Sequence, residues 1–197
     1  MTENRGGRPS LNIVTTAGLL VGAYVVLLYA VEIVDVATSE HLERNGVHPR
    51  SLDGLDGILF APLLHDNWAH LIGNTVPLLA LGFLLGLSGV RTWLQVTATV
   101  WLVGGAGVWL IGSSGTNHIG ASGIVFGWLT YLIVRGVFNR SLGQILVGLG
   151  VLVIYGSVLW GVLPGRPGVS WEGHLFGAVG GALAAWLLAS RTPRRPA

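Results

Sequence analysis

The chain has 197 residues, 51% of them hydrophobic and only 10% charged, with a mean hydropathy of +0.66; soluble domains carry roughly 25% charged residues. Its formal charge of +2 comes with no basic stripe outside short terminal arms, which argues against nucleic-acid binding. Cysteine is absent, so disulfides, thiol nucleophiles and cysteine-ligated metals are excluded.

Such a composition fits one all-α polytopic membrane domain, expected over residues 11–190. Residues 1–10 read as a short arm carrying Arg5 and Arg8. The run from about 11 to 34 lacks a small-residue cleavage site and reads as a retained first span. A longer segment follows, Asp35 to Asn67, which holds most of the acids. Within it Leu55 to Leu64 is apolar but too short to cross, which predicts a partly embedded first loop. Five further stretches have the roughly 20 residues a span needs, at about 68–87, 93–111, 119–138, 142–163 and 170–189. Pro164 to Gly168 is a breaker cluster between the last two, and residues 191–197 form a basic tail.

Arginine sets the orientation, because the chain has no lysine. With the N-terminus cytoplasmic, Arg5, Arg8, Arg91, Arg135, Arg140, Arg191, Arg194 and Arg195 fall inside, and only Arg44, Arg50 and Arg166 outside. Both termini are then cytoplasmic, and the second, fourth and sixth spans all begin at the outer face. His70 and Asn74 lie in the first turns of the second, Ser122 opens the fourth and His174 opens the sixth. Ionisable groups at membrane depth are functional hypotheses by default. A hydroxyl and an imidazole at one depth are the minimum for nucleophile and base chemistry. His70 and Asn74 are four apart and share a helix face. Gly123 and Gly127, like Gly173, Gly177 and Gly181, repeat every four residues, a pattern that lets helix backbones approach closely in lipid.

Three ordered motifs carry a family resemblance: His70-Leu-Ile-Gly-Asn74, Gly120-Ala-Ser-Gly123, and His174-Leu-Phe-Gly177 followed by Gly181. At these residues the chain resembles the rhomboid family of intramembrane serine proteases, and the likeness covers nearly everything beyond the first ten residues. It implies a six-helix rhomboid-like bundle with Ser122 as nucleophile, His174 as general base and no third carboxylate. It also implies oxyanion donors from Asn74, His70 and the backbone N–H groups of Ser122 and Ala121. Gly120, Gly123, Phe126, Gly177 and Gly181 would be supporting residues. Substrates would be single-span membrane proteins entering past the fifth span and cleaved near the outer face. No cofactor or metal is implied.

Two positions depart from the family pattern. No Trp-Arg pair occurs between Asp35 and Asn67, and Phe126 stands where well-known members have a tyrosine beneath the histidine. The phenylalanine keeps the ring face and loses a hydroxyl.

Other readings use the same residues. His70 and His174 could be axial haem ligands or part of a metal pathway, and an inactive relative could bind membrane clients. No histidine is followed by glutamate, which removes the H-E-x-x-H zinc class. The compact form suggests a bacterial plasma membrane; neither the client nor self-association is specified.

Overall fold

The computed structural model of the protein describes residues 12–39, 42–165 and 168–189. The predicted arm at 1–10, Arg166 and the tail at 191–197 lie outside the described residues. Seven α-helices are present among the described residues: α1 (Ile13–Ala37), α2 (Gly57–Phe60), α3 (Trp68–Gly86), α4 (Val90–Ile111), α5 (Ser122–Asn139), α6 (Leu142–Tyr155) and α7 (Trp171–Leu187). The protein is an all-α, polytopic helical bundle. Helices α1, α3, α4 and α5, and the stretch Leu142–Val162, are each long and apolar enough to cross a membrane. Large apolar side chains face outward all round it, among them Val26, Leu142, Val153 and Ile154. In water such a surface would be a liability; in lipid it is the contact surface.

Helix α7, with 17 residues, runs between α4 and α5. Glycine makes this possible. Gly177 and Gly181 back directly onto the carbonyls of Gly123 and Gly127 on α5, leaving no room for a Cβ. Gly107 on α4 gives its space to the Phe176 ring. The core beneath is large and apolar, with Leu28, Leu71, Leu78, Leu81, Leu85, Trp128 and Leu132 fully buried. Its indoles find partners: Trp128 Nε1 donates to Thr97 Oγ1 at 3.1 Å and Trp93 Nε1 to the Gly82 carbonyl at 3.2 Å.

Three expected spans are clearly shorter as helices, among them the sixth, which was expected at about 170–189 and is the 17-residue α7. The stretch expected at about 142–163 is α-helical only to Tyr155, then tightens into a 3₁₀ segment, Gly156–Val162. Gly156 and Gly161 lie in this segment, and glycine carries the highest helix cost after proline. The fourth begins at Ser122 rather than near 119, because Gly120 has φ of +116°, in the left-handed region that favours glycine.

The segment before α3 is wound into short helical turns that pack on α4. Trp101 Nε1 donates to the Ile58 carbonyl at 2.9 Å, and Trp109 Nε1 to the Ser51 carbonyl at 2.8 Å. Leu52, Leu59 and Phe60 point outward, so this loop presents an apolar surface of its own. It also reaches the chain leading into α5. Val47 and His118 pair through two backbone hydrogen bonds, and the Gly120 N–H donates to the Ala61 carbonyl at 2.9 Å.

Candidate active site

Ser122 begins α5 and His174 lies in the first turn of α7, so the glycine seam between these helices sets their separation. Ser122 Oγ lies 2.8 Å from His174 Nε2. The other ring nitrogen, Nδ1, is 2.9 Å from the Gly161 carbonyl oxygen. A carbonyl can only accept, so Nδ1 carries the proton. In the neutral ring Nε2 then has a lone pair aimed at the serine hydroxyl, which donates to it. Phe126 stacks flat beneath the imidazole, with ring centroids 4.1 Å apart and planes 9° from parallel. Tautomer and ring plane are therefore both fixed by neutral groups.

Helix α3 brings His70 and Asn74 to the same end. Asn74 is buried, and its Nδ2 has no partner among the described residues. A buried amide left unpaired costs about 1–3 kcal/mol, so an open donor of this kind calls for a ligand. His70 Nδ1 is 2.6 Å from Asp66 Oδ1, a hydrogen bond that turns the other edge of the ring toward Gly120. A Cβ at Gly120 would sit 2.9 Å from His70 Nε2 and 3.8 Å from Ser122 Oγ. The missing side chain thus leaves the space between the two groups open. No side chain caps α5, and helix starts leave their first N–H groups free for a ligand.

Ala121 is placed differently. Its N–H points at His65 Nε2, 3.4 Å away, so a second acceptor already competes for it. His65 is buried, and burial pushes its pKa down to about 4, helped by the neighbouring His70 and opposed by Asp66. It is therefore a neutral acceptor at physiological pH, bracing the Gly120–Gly123 turn from outside.

His118 is a second brace that the motifs did not reveal. Its Nδ1 is hydrogen-bonded to Ser170 Oγ and its Nε2 to Thr116 Oγ1, each at 2.7 Å. Ser170 Oγ in turn accepts the Gly173 N–H at 3.1 Å, capping α7. The turn before Ser122 is thereby tied to the turn before His174. Burial lowers the pKa of His118, with Glu172 opposing the shift. Beside these groups a cavity of about 50 Å³ is lined by His118, Ser122 and Ser170 among apolar neighbours, with room and polar partners for water. Among the described residues no three histidine or acidic side chains come together as a metal site.

Comparison with known proteins gives a consistent picture. A model of the Rhomboid domain matches residues 54–191, which includes every motif residue above. An uncharacterized protein of Mycobacterium tuberculosis and one of Mycobacterium bovis are each 50% identical over 188 residues, covering 91% of this chain and 78% of the relative. An uncharacterized protein of Mycobacterium leprae is 49% identical over 181 residues, covering 88% of this chain and 72% of the relative. No solved structure matches. Two glycine-packed helices, a serine and a histidine at their shared end and a domain match over most of the length agree: the chain belongs to the rhomboid family.

Proposed function

We propose that this protein is an intramembrane serine endopeptidase, using a Ser122–His174 dyad to cleave single-span membrane proteins near the outer membrane face. The observation that carries the reading is the 2.8 Å contact of Ser122 Oγ with a His174 ring whose tautomer is set by the Gly161 carbonyl. A soluble serine protease uses a buried aspartate to hold its histidine; here a backbone carbonyl and the Phe126 ring take that place.

In the first step Ser122 Oγ attacks the peptide carbonyl while its proton passes to His174 Nε2. The tetrahedral oxyanion is met by Asn74 Nδ2, His70 and the Ser122 N–H, with the Ala121 N–H contributing only as it releases His65. To donate from Nε2 while Nδ1 is bonded to the Asp66 carboxylate, His70 must carry both protons, and Asp66 is the matching counter-charge. The C–N bond then breaks and the amine leaves with the proton from Nε2. This leaves an ester on Ser122 and a neutral imidazole. Water from the cavity beside Ser122 repeats the sequence: His174 takes its proton, the ester breaks and the hydroxyl is restored.

The arginine distribution supports cytoplasmic termini and a site facing outward. Both nitrogens of His174 are occupied by Ser122 and Gly161, which disfavours the haem-ligand reading. The test is co-reconstitution in liposomes with a panel of single-span segments carrying helix-breaking residues near one face. Wild type should cut at least one, and Ser122→Ala none; turnover by Ser122→Ala at the wild-type rate would overturn the assignment.

A further inference from the structure

At the end of the bundle opposite Ser122 lies a second cavity, of about 640 Å³ and open at the surface, between the ends of α3, α4, α5, α6 and α7. Two arginines, Arg91 and Arg135, face it together with the polar side chains of Ser88, Gln95, Tyr131 and Gln144. Arg91 is exposed, but Arg135 is nine-tenths buried. Among the described residues the Arg135 guanidinium is met by neutral groups: Nη1 donates to Ser88 Oγ, and Cζ lies 5.8 Å from the centre of the Tyr131 ring. Its Nε has no partner among the described residues. A buried cation without a counter-charge is costly, and proteins rarely leave one so.

Among the described residues no acid lines the cavity. The acidic residues within the described segments lie at the dyad end, on the second half of α1, between Glu43 and Asp66, and at Glu172. Among the described residues the acids thus lie at the Ser122 end of the bundle, and Arg91 and Arg135 at the other end have no acid beside them. Leu87 and Leu188 add apolar lining to the same cavity.

We propose that this cavity is a phosphate-binding site that takes the phosphodiester of an anionic phospholipid. The planar guanidinium fork matches phosphate oxygens, which would give Arg135 the acceptors and counter-charge it lacks. The hydroxyl and amide donors complete the coordination, and the leucines receive the apolar start of the lipid. Basic pockets between membrane helices at headgroup depth are the setting in which such lipids bind. The site is remote from the dyad and stands independently of the protease reading.

The test follows thermal unfolding of the full-length protein in neutral detergent by tryptophan fluorescence. Short-chain phosphatidylglycerol, short-chain phosphatidylcholine, inorganic phosphate and chloride at matched ionic strength are titrated in parallel. The site predicts a saturable rise in the unfolding midpoint with phosphatidylglycerol at a concentration about tenfold or more below that needed for phosphatidylcholine, and nothing specific from chloride. A saturable rise with inorganic phosphate at the same concentration as phosphatidylglycerol supports the phosphate site and assigns it to the free ion. Arg135→Gln and Arg91→Gln should each raise the half-saturating phosphatidylglycerol concentration about tenfold. Because Arg135 is buried and its variant could unfold, the exposed Arg91 decides in that event. The proposal is overturned if neither phosphate species gives a saturable shift beyond chloride, or if Arg91→Gln responds as wild type does.

Discussion

Helices α5 and α6 follow one another in sequence, and both sides of the dyad depend on them, yet they are held very differently. Half of the α5 span is buried, and its glycines meet α7 backbone to backbone. Of the stretch Leu142–Val162 only 11% is buried, with Val153, Ile154 and Trp160 exposed. Ser122 therefore rides on the most tightly packed helix of the bundle. The carbonyl that fixes the tautomer of His174, Gly161 O, sits in the least covered stretch, beyond α6, where the α-helix has already given way to 3₁₀ turns. In this account any outward displacement of that segment, as in the entry of a substrate helix, also loosens His174. On the proposed mechanism, access and activation would be coupled through the His174–Gly161 hydrogen bond.

The largest effect is expected where the anchored side is broken. In Gly181→Leu the new side chain must displace the α5 backbone at Gly127, a clash of the kind that costs more than about 3 kcal/mol. Stability and activity should fall together, seen as a lowered unfolding midpoint and lost cleavage. An unchanged midpoint would mean that the seam is looser than described.

Asn74→Ala removes a donor without touching the seam. Activity should drop by about 10²–10³ with the unfolding midpoint nearly constant; a kcat within threefold of wild type would remove Asn74 from the oxyanion set.

On the less covered side, Gly161→Ala places a methyl group 2.8 Å from Phe126 Cζ and 3.2 Å from His174 Nδ1. The imidazole must tilt or its bond to the carbonyl must lengthen, and kcat should fall about tenfold with KM little changed. Gly150→Ala, which meets open space on the preceding helix α6, is the comparison. Equal activities of the two variants would sever the Gly161 link.

The last effect is confined to acid pH and concerns His65, which braces the turn before Ser122. In the unfolded chain it titrates near 6.5 and in the native protein near 4. As the pH falls through this window the unfolded state gains a proton that the native state lacks. Stability is therefore full above about pH 6.5, declines toward 4 and loses nothing further from this group below that, with at most about 3 kcal/mol at stake. His65→Gln keeps an acceptor for the Ala121 N–H and should flatten the decline in unfolding midpoint across the window. A slope identical to wild type would place the acid sensitivity elsewhere.

What the sequence made legible follows the same division. Ser122, His174, Asn74 and the fourfold glycine spacing stand out because polar or side-chain-free residues in apolar runs are costly unless used. The bundle class followed from composition, since little besides a membrane domain accommodates so few charges. The Gly161 carbonyl was invisible, because a backbone acceptor has no residue signature and its helix breaks only at weakly helical glycines. His65 and His118 were visible as histidines but not as braces, because their partners are a backbone N–H and loop hydroxyls brought near by tertiary folding. Arg135 was counted for orientation alone; its burial with no counter-charge among the described residues depends on five helix ends meeting.

The central claim is that Ser122 is activated by His174, and it is tested most directly by labelling the folded, detergent-purified protein with a fluorophosphonate probe. The account predicts labelling of wild type, none of Ser122→Ala, and a loss of about 10²-fold or more in labelling rate for His174→Ala. Labelling that persists in Ser122→Ala, or that proceeds equally fast in His174→Ala, would contradict it.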